Sequence, residues 1–366
     1  RDQPRSRGLG DVYKRQSEYN EYIKEAKWYR KLSDEVVQCL LCPFKCVLND
    51  AQRGKCKVRE NRRGILYTLV YGRIIALHQD PIEKKPFYHV LPSKTAFSLA
   101  TPGCNLSCKF CQNSDISQIW PEDASSKFLT PLQVVKLALK YKAPTIAYTY
   151  SEPIIFYEFM LETAKLAKEK GILNLMVTNG YINEAPLREL CKFIDAANVD
   201  LKGFDPNFYH NIVGGNLDEV LNSLKVMKKE GIWIEITNLV IPGLNDSAHL
   251  IRRMCKWIRE NLGPETPIHF SKFYPMYKLR NIPPTPLKTL EQACEIAKSE
   301  GLNYVYIGNV PGHILENTYC PNCKNILIKR LGYMVSEINI DKEGKCKFCN
   351  NTIPGIWKSP LQHGLY

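Results

Sequence analysis

From residue 95 onward, short apolar and β-branched runs alternate with longer stretches of helical periodicity. This alternation is typical of successive strand–helix units, whose strands pack into one parallel sheet. Several helices carry start or stop signals, such as Thr130 before a helix predicted over 131–141, and Gly171 and Gly263 after later helices. Six or seven such units predict an α/β fold built on a partial (β/α)6 TIM-type barrel. The predicted strands are 96–100, 145–150, 173–177, 198–201, 233–240, 268–272 and 304–307.

The pattern changes on either side of this repeating region, and four segments are expected. Residues 1–16 are polar, basic and without apolar periodicity, which is typical of an extraneous or disordered leader. Residues 17–92 combine clustered cysteines with β-rich runs and predict a small Cys-rich module. The barrel is expected over 93–313, and 314–366 carries two CxxC pairs around a β-like stretch, which predicts a zinc-ribbon-like module.

Polar residues stand where several of the predicted barrel strands end. They occupy 150–153, 178–180 and 200–202, and His269 is placed in the same group. Because chemistry in such barrels gathers at the carboxyl ends of the strands, one shared active site is predicted there.

Composition excludes some classes of function. The hydrophobic content of 44% and charged content of 24% are ordinary for a globular protein, and no apolar run approaches the roughly 18 residues of a membrane span. No secretory signal is readable, so a cytoplasmic location is the default expectation. The net charge of +13 falls to about +5 once the leader (+3) and metal-bound thiolates are considered, which is only weak evidence for a nucleic-acid partner.

Fourteen cysteines are present, and eleven of them form three tight groups. CxxC-type spacing in a chain without a secretory signal indicates metal ligation rather than disulfides. The remaining three, Cys191, Cys255 and Cys294, lie singly in helical patterns and are interpreted as small buried hydrophobes.

The central group, Cys104, Cys108 and Cys111, has CxxxCxxC spacing directly after the first barrel strand, with the aromatic Phe110 beside the last cysteine. Three thiolates can hold three irons of a [4Fe-4S] cluster and leave the fourth iron open, as a catalytic metal site requires. A ferredoxin-like carrier or a zinc loop is the alternative, and either normally uses a fourth thiolate close by. The next cysteine, Cys191, is far downstream.

The other two groups each contain four cysteines. Cys320, Cys323, Cys346 and Cys349 form paired CxxC knuckles, for which structural zinc is favoured over rubredoxin-like iron. The N-terminal set can hold either zinc or an auxiliary iron–sulfur cluster, because both accept four thiolates. It comprises Cys39, Cys42, Cys46 and Cys56.

At these residues the chain resembles the radical S-adenosylmethionine (SAM) superfamily, and more closely the enzymes similar to pyruvate formate-lyase activating enzyme. Within that group it looks like the radical SAM member of the AmmeMemoRadiSam system. The resemblance extends over about 38–355. It rests on the CxxxCxxC motif followed by Gln112-Asn113, on the two N-terminal stretches 39–46 and 54–61, on Tyr71-Gly72 and on 80–86.

The resemblance implies a [4Fe-4S] cluster that binds SAM and reductively cleaves it to methionine and a 5′-deoxyadenosyl radical. A reduced ferredoxin or flavodoxin is the implied electron donor, and a partner protein is a possible substrate class. Phe110 is grouped with the cofactor-binding residues. Further candidate SAM-binding residues are Tyr150, Ser151, Glu152, Thr178, Asn179, Asp200, Lys202, His269 and Asn309.

Each of these assignments has a purely structural alternative. Glu152-Pro153 also suits the start of a helix, and Asp200 with Lys202 also suits a surface ion pair of little energetic value. A lone His269 in a strand is often a satisfied core residue. Only Glu-Pro remains of the Gly-Gly-Glu-Pro-like segment common in the superfamily, so the role of Ser151 is open.

Two further classes of function are weighed against the enzyme. A zinc-ribbon nucleic-acid-binding protein would explain the C-terminal knuckles, but few aromatic residues are available there for base stacking. An electron carrier would hold a cluster and leave SAM untouched. The substrate and the overall reaction are not determined by the sequence.

Overall fold

The computed structural model describes residues 21–361 of the chain. The predicted leader lies outside these residues. Within them, no helix is both long enough and apolar enough to cross a membrane.

An eight-stranded sheet forms the centre of the fold. Seven of its strands are parallel to one another and follow the order of the chain across the sheet. The eighth strand lies at one edge and pairs antiparallel to its neighbour. The sheet stays open between its two edge strands, as expected for a partial barrel. In order across the sheet, the strands are β8 (Ala76–Pro81), β9 (Thr95–Ala100), β11 (Thr145–Tyr148), β12 (Leu173–Thr178), β13 (Ala196–Asp200), β14 (Trp233–Val240), β15 (Ile268–Lys272) and β16 (Val305–Gly308).

Helices connect the parallel strands and cover the outside of the sheet. The predicted capping residue Thr130 makes a full capping box with Gln133, which satisfies backbone N–H groups at the start of the following helix. The helix that ends before Gly171 is preceded by a 3-10 turn at Pro153–Phe156. The helices are α1 (Ser114–Ser117), α2 (Pro131–Lys140), α3 (Tyr157–Glu169), α4 (Glu184–Cys191), α5 (Pro206–Phe208), α6 (Leu217–Lys229), α7 (Ala248–Asn261) and α8 (Leu287–Ser299), with a π-helical turn at Tyr209–Val213.

The N-terminal segment forms small antiparallel sheets beside the barrel. Its strand β8 pairs with β9 of the central sheet, although the predicted boundary at residue 93 assigns it to the N-terminal module. An antiparallel strand covers the open edge that β9 would otherwise present. The other strands are β1 (Lys24–Glu25), β2 (Tyr29–Lys31), β3 (Val37–Cys39), β4 (Val47–Leu48), β5 (Arg59–Arg62), β6 (Ile65–Thr68) and β7 (Arg73–Ile74), the last pairing with β10 (Lys127–Phe128).

The C-terminal segment is a three-stranded antiparallel sheet flanked by the two cysteine knuckles. Its core is continuous with Tyr304 and Tyr306 at the far edge of the barrel. The buried Arg330 guanidinium donates hydrogen bonds to the Tyr88 carbonyl at 2.9 Å and the Thr318 hydroxyl at 2.8 Å, which ties this sheet to the segment before β9. The strands are β17 (Thr318–Tyr319), β18 (Ile326–Leu331) and β19 (Met334–Ile338).

Candidate active site and metal centres

The loop after β9 carries Cys104, Cys108 and Cys111 and is held by backbone hydrogen bonds at both ends. Gly103 N–H donates to the Ile116 carbonyl at 3.0 Å, and Lys109 N–H donates to the Ile212 carbonyl at 2.9 Å. Gly103 has φ +108°, a conformation that favours glycine. The three cysteines therefore lie on a braced loop at the carboxyl edge of the sheet.

The sulfur atoms of this loop receive hydrogen bonds from the protein. Leu106 N–H lies 3.4 Å from Cys104 Sγ, and the Asn179 side-chain amide lies 3.7 Å from it. Ser117 Oγ is 3.1 Å from Cys111 Sγ. Burial raises the pKa of the Cys108 thiol to about 11, so a bound metal is needed to stabilise the thiolate at neutral pH. Hydrogen bonds to sulfur are a common means of tuning iron–sulfur clusters.

Glu152 follows β11 and points across to the end of β12. Its carboxylate accepts a hydrogen bond from the Thr178 hydroxyl at 2.6 Å and another from Asn179 N–H at 2.8 Å. It also accepts one from Ile154 N–H at 3.1 Å, as expected of a residue at a helix start. Burial raises the pKa of Glu152 to about 7. A nearby cation would stabilise the ionised form of this carboxyl group, because it offsets the solvation that burial removes.

Lys202 lies just after β13, where it pairs with Asp200 at 2.9 Å. Its ammonium group is also 5.8 Å from the centre of the Phe110 ring. Burial lowers the pKa of Lys202, but the negative charge of Asp200 outweighs this effect, and the net pKa lies above the ordinary value. The Lys202 side chain is 14% exposed and that of Asp200 is 36% exposed, so the pair is partly open to solvent.

Tyr150 has φ +66°, in the left-handed region that a non-glycine residue rarely adopts. It stands where the superfamily pattern often has glycine, and the structure gives the physical reason for that preference. The Tyr150 hydroxyl donates to Asp80, and the ammonium group of Lys85 lies 3.8 Å from the centre of its ring. These contacts hold the unusual conformation in place.

Lys85 belongs to the site, although the sequence analysis assigned it no role. It is nearly fully buried and lies 2.6 Å from Asp80 Oδ2. Burial lowers the pKa of Lys85 to about 8. The motif at 80–86 was the signal that could have found it, but only as part of a resemblance and not as a pair of charges.

These groups surround one cavity of about 390 Å³, which lies within the roughly 300–1,000 Å³ of typical small-molecule pockets. Nine of the ten predicted cofactor-binding residues line it, together with the three cysteines of the loop. Of the described residues, no further cysteine does so. Lining residues without a prior role include Lys84, Lys85, Gln112, Asn113, Thr149, Thr237, Ser271 and Tyr333.

His269 is the one predicted cofactor-binding residue that the structure does not bring into the cavity. The strand β15 runs over Ile268–Lys272, so His269 stands near its amino end, and the expected position at the carboxyl end is wrong. Its Nε2 is 2.7 Å from the buried Glu235 carboxylate, and its ring packs on Tyr88 and Tyr306. The alternative interpretation, a satisfied core residue, matches these contacts.

The loops that follow β14 and β16 differ in their relation to the cavity. Asn309 lines the cavity, and its side-chain amide donates to the Lys272 carbonyl at 3.1 Å. The stretch 241–246 contributes no lining residue, and the adjoining strand presents Thr237 and Leu239 instead. Asn245 explains this, because its side chain bonds back to the Lys202 and Leu239 carbonyls and closes the loop on itself.

The C-terminal cysteines converge on one point. Cys320 Sγ lies 3.6 Å from Cys349 Sγ, and Cys323 Sγ lies 3.7 Å from Cys346 Sγ. A tetrahedral ion with metal–sulfur bonds of about 2.3 Å requires sulfur atoms about 3.8 Å apart. The two knuckles have matching backbones, with left-handed residues at Lys324 and Asn350. The arrangement is therefore a four-thiolate metal site.

Comparisons with known proteins agree with this architecture. The family model of the radical SAM superfamily matches residues 98–254. An uncharacterized protein of Methanocaldococcus jannaschii is 47% identical over 90% of this chain and 99% of its own length. Pyruvate formate-lyase-activating enzyme of Clostridium pasteurianum is 28% identical over 49% of this chain and 80% of its own. The corresponding enzyme of Escherichia coli K12 is 24% identical over 54% and 87%.

The chain belongs to the radical SAM superfamily, and its relatives include pyruvate formate-lyase activating enzymes. Membership implies a [4Fe-4S] cluster and SAM as cofactors. The loop of three cysteines suits that cluster, since it offers three thiolates with hydrogen-bonded sulfurs and opens onto a cavity with further polar groups.

Proposed function

We propose that the chain is an enzyme that cleaves SAM reductively and uses the resulting radical on a substrate. Cys104, Cys108 and Cys111 would hold the [4Fe-4S] cluster, which would supply an open iron position for SAM. When bound, the cluster and SAM supply methionine and a 5′-deoxyadenosyl radical that takes a hydrogen atom from the substrate. The observation that carries this proposal is the set of three thiolates facing a cavity where no fourth described cysteine is present.

The residues of the chain have distinct parts in this proposal. Glu152 accepts a hydrogen bond from the SAM ammonium group, and Lys202 binds its carboxylate, because each charge is buried at the cavity wall. Asp200 orients Lys202. Asn309 and the end of β16 lie beside the nucleoside. Tyr333 of the C-terminal sheet lies at the cavity wall and helps to exclude water.

The proposed substrate class is a partner protein or peptide. Relatives named as pyruvate formate-lyase-activating enzymes support this class, and the motifs quoted above support the finer assignment to the AmmeMemoRadiSam group. A reduced ferredoxin or flavodoxin is proposed as electron donor. Structural zinc is proposed for the C-terminal four-cysteine site, whose sulfur spacing suits it.

The central experiment is anaerobic reconstitution of the full chain with iron and sulfide, followed by dithionite and SAM. We expect 5′-deoxyadenosine to form. Cys108→Ala should abolish it, whereas Cys255→Ala, which removes a buried thiol of α7 outside the cysteine groups, should not. A chain with an intact cluster and no 5′-deoxyadenosine would be an electron carrier and not this enzyme.

The substrate is sought by incubating the reduced enzyme with cell extract and deuterium-labelled candidates. We expect label to appear in 5′-deoxyadenosine with the true substrate. Salt-dependent binding of nucleic acid without SAM cleavage would instead favour the zinc-ribbon nucleic-acid-binding class.

A further inference from the structure

The four N-terminal cysteines surround a second, smaller cavity. Cys39 ends β3, Cys42 and Cys46 lie in the turn to β4, and Cys56 lies in the turn before β5. The cavity is small, with a volume of about 20 Å³. Apolar side chains complete much of its wall, including Leu41, Phe44, Ile154 and Ile155.

The sulfur atoms of this cavity do not have the spacing of a single tetrahedral ion. Among residues 21–361, the C-terminal four cysteines are the one group whose sulfurs all lie within 4.8 Å of one another. The N-terminal four do not meet this limit, nor do Cys104, Cys108 and Cys111. Thiolates that bind separate irons of a cubane cluster stand farther apart than thiolates on one ion. The N-terminal set thus shares its open spacing with the cluster loop and differs from the zinc-like site.

The surroundings also suit a buried anionic cluster. Cys39 is buried, and the guanidinium of Arg59 lies 3.8 Å from its sulfur. Lys55 lies over the Phe44 ring at 3.8 Å from its centre, at the rim of the same cavity. Arg59 is itself fixed by the buried carboxylate of Glu158. Positive charge beside thiolates stabilises the cluster charge in an apolar wall.

This cavity lies directly behind the loop of the first cluster. Asn105 lines it, whereas the adjacent residues Cys104 and Leu106 line the larger cavity. On the same side, a Cβ built on Gly103 would lie 3.3 Å from the Cys56 carbonyl oxygen. One loop therefore forms the wall between the two cysteine sites, a position suited to electron exchange.

We propose that Cys39, Cys42, Cys46 and Cys56 ligate a second [4Fe-4S] cluster, and not a zinc ion. All four irons then have a protein thiolate, so this cluster does not bind SAM. The binding site stands independently of the proposed SAM cleavage, because it rests on the ligands and their spacing alone.

The test uses the full chain with Cys104→Ala, Cys108→Ala and Cys111→Ala, reconstituted anaerobically. We expect about four irons and four sulfides per chain, with a Mössbauer spectrum of a [4Fe-4S] cluster and a reduced-state EPR signal that SAM does not change. Adding Cys42→Ala and Cys46→Ala should remove the iron and leave the zinc content at the C-terminal site unchanged. Adding Cys191→Ala in place of these two substitutions should change neither the iron content nor the zinc content.

The same question can be asked without the triple substitution. The chain with all its cysteines should bind about eight irons, and Cys42→Ala together with Cys46→Ala should lower this to about four while the SAM-sensitive EPR signal remains. A chain with zinc in the N-terminal set and no iron beyond the first cluster would overturn the proposal. This readout is metal content and spectroscopy, so its failure is distinct from a failure to form 5′-deoxyadenosine.

Discussion

The Thr178 hydroxyl donates a 2.6 Å hydrogen bond to the Glu152 carboxylate. This contact joins the carboxyl ends of β11 and β12, which pair in the sheet in parallel. It fixes the buried carboxylate of Glu152 at the wall of the larger cavity. The geometry of the proposed SAM site therefore depends on the register between two neighbouring strands.

Replacing Glu152 by Gln tests this contact. We expect SAM affinity to fall about ten- to a hundred-fold, because hydrogen bonds to a charged group contribute about 1.5–3 kcal/mol. Gln keeps an acceptor for Thr178 but loses the negative charge. Equilibrium binding of SAM to the reconstituted chain measures the effect. The exposed Glu343→Gln serves as control, and unchanged affinity in the Glu152 variant would contradict the proposed role.

Lys202→Met removes the cation proposed for the SAM carboxylate. The KM for SAM in 5′-deoxyadenosine formation should rise about ten-fold or more, since charge-assisted hydrogen bonds are roughly twice as strong as neutral ones. Lys202→Arg should recover part of the loss. Iron content must stay constant, and Lys229→Met on the exposed side of α6 should behave as the unchanged chain. Equal KM values in all variants would remove Lys202 from the site.

Cys346→Ser should release the metal of the C-terminal site. We expect zinc content to fall from about one ion per chain to near zero, because a tetrahedral structural site needs all four ligands. Loss of the metal also removes folding free energy, so β17–β19 should become sensitive to protease. Cys191→Ala is the matched control. Zinc retained in the Cys346→Ser variant would contradict the four-cysteine zinc site. Iron found at this site in the unchanged chain would also refute the zinc assignment.

His89 gives the stability of the fold a defined dependence on pH. Burial lowers its pKa from 6.5 to about 4 in the folded chain. Between these values the unfolded chain binds more protons, so stability is fully present above about pH 6.5 and is lost as pH falls toward 4. The contribution is up to about 3 kcal/mol, at 1.36 kcal/mol per pKa unit.

The substitution His89→Gln tests this dependence by urea unfolding at several pH values. Gln keeps a donor for the Pro354 carbonyl, now 2.7 Å from His89 Nδ1, and an acceptor for the Tyr306 hydroxyl, now 2.8 Å from Nε2. It does not titrate in this range. The slope of unfolding free energy against pH should therefore flatten between pH 4 and 6.5, and a slope equal to that of the unchanged chain would contradict the argument.

Much of the fold was predictable because its signals are local. Each of the seven predicted barrel strands overlaps an observed strand, since apolar runs between helix caps depend only on neighbouring residues. The capping box at Thr130 is another local signal. The added strand β8 was not predicted as part of the sheet, because its pairing with β9 depends on residues far along the chain.

The candidate site shows the same division. The spacing of Cys104, Cys108 and Cys111 and the polar residues at strand ends identified most of the cavity wall. His269 was misplaced although its strand was predicted with the observed bounds, because it is the second residue of β15 and lies near the amino end. Its partner Glu235 lies on another strand, so the contact could not be read from the local sequence. Lys85 was missed because Asp80 brings it to the site only through a contact with Tyr150, which is distant along the chain.

The sequence by itself indicated the candidate metal ligands and the order of strands and helices, since both depend on side-chain chemistry and local periodicity. Only the tertiary structure decided which sulfurs lie close together, with 3.6–3.7 Å contacts at the C-terminal site and an open cavity at the N-terminal one. The reason is that the metal bound by a set of cysteines depends on the distances between their sulfur atoms and on the surrounding residues. Both are set by packing among distant segments of the chain.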